Sequence, residues 1–219
     1  MKDIPAIKGR HYIASLIAQG EHERQDFKFM ISDARKIARS ISAFANNSGG
    51  RLLIGVKDNG VAAGIRNEED IYVVESAAQI YCRPAVEVEF TAFKVDPGVV
   101  VIRAEIPQSL TPPVNVVEDG GELKAYYRVN DENILAPDVM TTAWEMARSP
   151  EESLIDLSRH HYRLLELIDR DGAVTLRDFI TDTHLPTSAA TRIAARLLAA
   201  RSIATAYRNH SWVLTMPQT

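Results

Sequence analysis

Glu21, Glu23 and Asp26 fall in one short stretch, and Asp58 follows in a polar turn further along the chain. Carboxylates that converge on Mg2+ or Mn2+ can activate a water and steady a leaving oxygen, the chemistry of a metal-dependent phosphodiesterase. Spacing sets a condition on that reading. Positions 21 and 26 point to opposite faces if both lie in one strand, so convergence needs Glu21 in the turn after Gly20. The competing reading is a solvated acidic turn, with Asp58 serving only the tight turn in which it stands.

A second set lies at the C-terminal end. Residues 186–219 hold four Arg and no acid, in a chain whose net charge is −4. A helix capped by Thr187 or Ser188 and running to about Ala200 would turn Ile193, Leu197 and Leu198 to a core. Thr187, Ser188, Thr191 and Arg192 could then meet phosphates and base edges, with Arg196 one turn beyond Arg192. Arg208, Asn209 and His210 form the tip between the strand-like segments Ile203–Tyr207 and Trp212–Thr215. The many alanines of this helix leave few side chains to read bases, so a docking or dimerisation piece is the alternative.

These residues need elements to hold them. Ile7–Ala18 reads as a helix and Asp26–Ile31 as a strand, with Asp26 and Lys28 on one face and Phe27 and Phe29 on the other. Ser32 or Asp33 caps a helix Ala34–Asn46. Strand Arg51–Val56 is apolar on both faces, which places it inside a sheet, and Asp58-Asn59-Gly60 predicts a hairpin after it. A helix spans 68–80. Ala85–Val95 and Val99–Ile106 alternate as strands, as do Val114–Val117 and Lys124–Arg128, and Asp138 caps a helix to about Ala147. Ser149-Pro150-Glu151 reads as a linker. Beyond it come helix Leu154–Asp169 stopped by Gly172, a short helix Leu176–Asp182 capped by Thr175, the turn Thr183-His184-Leu185-Pro186, the Thr187 helix and a hairpin.

Composition is that of an ordinary globular protein, with 46% hydrophobic and 25% charged residues. No apolar run is long enough to cross a membrane and no secretory signal opens the chain. Cys82 stands alone, without a disulfide or thiolate-metal partner, which fits a reducing cytoplasmic setting and a buried structural role. Gly49-Gly50 lacks the Lys-Ser or Lys-Thr of a phosphate loop and reads as permissive backbone geometry. His160 and His161 point about 100° apart on a helix and cannot jointly hold a metal in the i, i+4 manner.

The wording AFAN…GG.LLIGV.DNG…G over Ala43–Gly64, preceded by Glu21…Asp26-Phe27-Lys28 and followed by Tyr127-Arg128-Val129…Asn133…Ala136, closely resembles the Schlafen-type Alba-like domain. That resemblance implies nucleic-acid binding over roughly the first two thirds of the chain. It makes Lys28 and Arg128 candidate phosphate contacts, or else members of an ion network with Asp26 and Asp58. It also implies that Glu21, Asp26 and Asp58 are the positions at which nucleases of this type bind metal. Here the second acid is Asp where the family usually has Glu, so the carboxylate reaches one methylene less.

The sequence therefore predicts an α+β protein with a Schlafen/Alba-like mixed sheet and flanking helices at 1–148, and a small winged helix-turn-helix at 152–219. The expected function is DNA-binding transcriptional regulation by a cytoplasmic homodimer, with DNA favoured over RNA and no cofactor. The alternative is a nuclease using Mg2+ or Mn2+ at Glu21, Asp26 and Asp58.

Overall fold

In the computed structural model, which describes residues 4–66, 69–148 and 157–217, the chain divides into two units, Met1–Leu135 and Ala136–Thr219. The first opens with the short strand β1 (Ile7–Lys8) and helix α1 (Arg10–Ile17), followed by strand β2 (Gln25–Lys28). Helix α2 (Ala34–Ala45) is capped by Asp33, which accepts from the backbone N–H groups of Arg35 and Lys36. Strand β3 (Gly50–Ile54) and helix α3 (Glu69–Ser76) follow, and α3 runs on into a π-helical turn, Ala77–Tyr81. The rest is extended: β4 (Cys82–Arg83), β5 (Glu89–Asp96), β6 (Val99–Ile106), β7 (Asn115–Val117), β8 (Leu123–Val129) and β9 (Glu132–Leu135).

Five strands form a mixed sheet in the order β1-β5-β6-β3-β2, in which β2 is parallel to β3 and β1 to β5. Strand β3 lies inside it, as its apolar faces require. Leu53 packs with Ile13 and Leu16 of α1 on one side, while Leu52 and Ile54 pack with Ile37, Ile41 and Phe44 of α2 on the other. A second sheet, β4-β7-β8-β9, covers another side of α2. Cys82 lies buried in the α2 core, and burial pushes its thiol pKa up to about 12.

Three expectations change. Ile7 and Lys8, read as the start of a helix, pair with β5 as a strand, and the helix begins at Arg10. The hairpin predicted at Asp58-Asn59-Gly60 shrinks to one bridge, Val56 to Ala62. Both edges of β3 are taken, by β2 and β6, so a following strand has no edge to join. The division of the chain also moves, from about 150 to 135/136. Helix α4 (Asp138–Ala147) belongs with the second unit, because Val139, Ala143 and Met146 share a core with Leu164, Ile168 and Ala194. The expected linker at Ser149-Pro150-Glu151 lies outside the described residues.

After α4 the second unit contains α5 (Arg159–Asp171), β10 (Ala173–Val174), α6 (Leu176–Thr183), α7 (Thr187–Ala199), β11 (Ala204–Arg208) and β12 (Ser211–Thr215). Gly172 ends α5 in the left-handed conformation that favours glycine. Thr175 and Asp178 form a reciprocal capping box at the start of α6. The three short strands form a sheet in the order β10-β12-β11. Asn209 and His210 both have positive φ in the two-residue turn that joins β11 to β12, and the Tyr207 and Trp212 rings meet across the hairpin.

Candidate nucleic-acid interface

Strand β2 aims Asp26 and Lys28 to one face, and the Lys28 Nζ stands 2.6 Å from Asp26 Oδ2. Asp26 is buried, and the Arg128 guanidinium of β8 approaches its other oxygen at 3.4 Å. Glu21 does lie in the turn, where its Oε1 accepts from the backbone N–H of Phe27 at 2.8 Å. Burial, and then the neighbouring Asp26 carboxylate, raise the Glu21 pKa above the ordinary carboxylate range. Two of the three predicted acids thus come together. Asp58 is exposed in the turn after β3 and does not join them, and among the described residues no three His, Cys, Asp or Glu side chains gather as a metal-ligand set.

A divalent cation fits this arrangement poorly. Lys28 and Arg128 already stand against Asp26, so its charge is met by two side-chain cations.

Arg128 itself is 1% exposed. Its guanidinium donates to Asn133 Oδ1 at 2.9 Å and to the backbone oxygens of His22 and Gln25, and it lies 4.9 Å from the Phe44 ring centroid. A phosphate cannot reach it, so Arg128 ties β8 and β9 to β2 and α2. Lys28 is half-buried and keeps one foot in solvent.

The polar turn after α2 is equally structural. Asn46 donates to the carbonyl oxygens of Val114 and Tyr126 and accepts from the Val114 N–H at 2.7 Å. Asn47 donates to Arg128 O and receives the Tyr127 hydroxyl. A Cβ at position 50 would meet the Phe44 ring at 2.4 Å, and Gly49 has φ +69° with backbone crowding its open side. The Asn-Asn-Ser-Gly-Gly signature therefore fastens the second sheet to α2. Its role in joining the sheets had no signal in the sequence, because the partners are backbone groups far along the chain.

In the second unit, Thr187, Ser188 and Arg192 are exposed at the start of α7, and Arg208, Asn209 and His210 are exposed at the hairpin tip. Thr191 is buried, together with Ala190, Ala194 and Ala195. These small residues let α4 pack along α7, which explains the alanine run and removes Thr191 from any groove-facing surface. Arg196 is half-buried and its Nε has no hydrogen-bond partner among the described residues. Ser188, Arg192 and Arg196 recur at i, i+4 along the more open side of the helix.

The family model for the Schlafen, AlbA_2 domain matches residues 21–137. The chain belongs to this family. The match ends one residue before α4 begins, close to the division between the units. It takes in Glu21, Asp26, Asp58 and Arg128, and it points to nucleic-acid binding. No curated protein matches the chain. The crystal structure of the DIP2311 protein from Corynebacterium diphtheriae is similar at 19% identity and a TM-score of 0.43, over 63% of this chain and 31% of that one. The likeness thus spans about a third of that protein. No described helix of the AlbA_2 chain is long and apolar enough to cross a membrane.

Reading for motifs missed Lys57 and Arg66 of the AlbA_2 unit. Both stand over the Phe29 ring, at 5.0 and 5.6 Å from its centroid. The signal available was a basic residue on each side of the Asp-Asn-Gly turn.

Proposed function

We propose that this AlbA_2 protein is a DNA-binding transcriptional regulator, cytoplasmic and homodimeric, whose second unit is a winged helix-turn-helix. The order of helices and hairpin in that unit supports the reading, with α6 and α7 as the helix pair and β11–β12 as the wing. One observation carries it. Arg192 and Arg208 are exposed and form no ion pair among the described residues, whereas Arg163 and Arg170 of the same unit are paired with Asp182, Glu166 and Asp171. Unpaired cations beside a helix N-terminal turn and at a hairpin tip suit the phosphates that flank a major groove.

The small open face of α7 favours duplex DNA read by two copies, since Thr187, Ser188 and Arg192 reach only a few base pairs. The AlbA_2 unit then supplies assembly, effector sensing or further contact. The test is duplex DNA binding across a salt series. Arg192→Ala and Arg208→Ala are each expected to lower the log–log salt slope by about 1 and to weaken binding at every sequence. Unchanged affinity and slope in both would reject the assignment. Light scattering of the full chain is expected to give the mass of two copies.

A further inference from the structure

The five-stranded sheet of the first unit separates charge along its strands. Pairing sets Lys8 beside Lys94 and Lys94 beside Val100, and it sets both Lys28 and Ile102 beside Ile54. One end of the sheet therefore carries Lys8, Lys28 and Lys94, with Arg10 and Lys57 just beyond. The Ile65 N–H donates to Val100 O at 2.8 Å and brings Arg66 to the same end. Apart from half-buried Lys28, these cations are exposed. The exposed acids there are Asp58 and Asp96, with Asp33 and Glu69 near the β2 edge around Arg66 and Asp70, and Asp96 is paired with Arg10 at 3.2 Å. The opposite end carries Glu23, Glu87, Glu89 and Glu105, with Arg24 and Arg51.

Each edge of the cationic end is shaped. On the β2 edge Phe29 holds Lys57 and Arg66 against its ring, beside exposed Met30 and Val61. On the β1 edge a cavity of about 540 Å³ opens between Lys8–Tyr12 and Lys94–Pro97. The two edges are roughly 19 Å apart, four strand spacings. Arg66 also faces buried Asp70 and offsets part of the rise that burial causes in the Asp70 pKa. Lys57 and Lys94 form no ion pair among the described residues, and like charges so gathered repel one another until a polyanion meets them.

We propose that this end of the sheet binds the phosphodiester backbone of a nucleic acid, with Lys57 and Lys94 as contacts on opposite edges. The class of ligand rests on the nucleic-acid reading above, while the residues and the unit are different. Cations spaced across the strands match charges repeated along a backbone, and the apolar surface at Phe29, Met30 and Val61 suits a base better than an acidic side chain.

The test uses the full chain with a labelled single-stranded oligonucleotide and its duplex, across a salt series. Lys57→Gln combined with Lys94→Gln is expected to weaken binding of at least one probe about three- to tenfold and to lower the salt slope by about 1 per lysine. Lys36→Gln, exposed on α2, is expected to change neither. Equal affinity and slope for the double variant on both probes overturns the proposal. So does a polyglutamate peptide that displaces the probe from wild type at equal charge but fails to do so from the double variant, since the surface then takes acidic protein. Arg192→Ala with Arg208→Ala in the same assay separates the two sites. Loss with the arginine variants alone rejects this surface and keeps the second-unit reading. Loss with the lysine variants alone does the reverse.

Discussion

In the first unit Arg39 grips Glu118 through two bonds, at 2.8 and 2.6 Å, and the Tyr126 hydroxyl donates to the same carboxylate. Arg128 is closed in by Asp26, Asn133 and the Phe44 ring, and Arg35 is paired with Asp119. In the second unit Arg192 and Arg208 stand in solvent with no acid in their own segment. The same residue type is thus structural in one place and available in the other. What separates the two is burial and the supply of carboxylates, so a count of basic residues cannot locate a nucleic-acid surface. Even within the first unit, the lysines at one end of the sheet differ from the arginines inside it.

The largest expected effect breaks the structural side of that comparison. Arg128→Ala leaves Asp26 buried with one cation and strips partners from Asn133 and two carbonyls. Removing one member of a buried pair costs about 3–5 kcal/mol. Denaturation followed by circular dichroism is expected to show the first unit destabilised by that order, and Arg128→Lys to recover only part, because an ammonium lacks the fork that spans these partners. Both tryptophans, Trp144 and Trp212, lie in the second unit, so their fluorescence transition is expected to stay in place. A variant that keeps its stability but loses nucleic acid would return Arg128 to the binding surface.

Much of this was legible from local signals. The Thr175 cap, the stop at Gly172 and the two apolar faces of β3 each depend on neighbours in the chain and read correctly. Of Ser32 and Asp33, Asp33 is the cap, whereas Pro186 and Pro137 hold the cap positions expected of Thr187 or Ser188 and of Asp138. The AlbA_2 wording found the domain, and the parity of β2 placed Asp26 with Lys28 and set the condition, which the structure meets, that Glu21 lie in the turn if the two acids are to converge. Long-range facts were hidden. Nothing local says that Arg128 is buried, that Asn46 bonds to Val114 and Tyr126, or that α4 covers the face of α7 that carries Thr191. The missing hairpin has the same cause. Its turn residues are present, but both edges of β3 were already taken.

Acid acts on both units by a smaller effect. In the first, Arg39 holds the Glu118 pKa below the ordinary carboxylate range. Its folded pKa is depressed, so its stability is present above about pH 4.3 and is lost as pH falls further. In the second, burial lowers the His161 pKa, and Arg196 and then His160 push the same way. Its Nδ1 accepts from the Ser158 N–H, which leaves Nε2 as a donor with no partner among the described residues. That contribution is present above about pH 6.5 and is lost as pH falls through the depressed value. The tryptophan signal is therefore expected to show the second unit losing stability between neutral pH and pH 5, and His161→Gln to flatten that slope. His22 of the first unit is shifted the same way by burial, Arg51 and Arg128, so its own slope is expected to vanish in His22→Gln. A tryptophan transition independent of pH over that range would show that His161 is not held neutral.

The smallest expected effect concerns the acids, where the contrast between paired and solvated groups recurs within a few residues. Asp58→Asn changes an exposed carboxylate that joins no metal-ligand set among the described residues, so stability is expected to shift by no more than about 0.5 kcal/mol. Asp26→Asn changes a buried one and leaves Lys28 and Arg128 without their counter-ion, so its cost is expected to approach that of Arg128→Ala. With Mn2+ or Mg2+ supplied, wild type and Asp58→Asn are expected to leave labelled RNA and single-stranded DNA equally intact. Asp26→Glu, which restores the usual family side chain, is expected to do the same, because the longer carboxylate still meets Lys28 and Arg128 before it meets a metal. Cleavage by the wild type that disappears in Asp58→Asn would mean that the turn closes on Glu21 and Asp26 when a cation arrives. The acids would then be the working site, and the two cations beside Asp26 would be partners that the metal displaces.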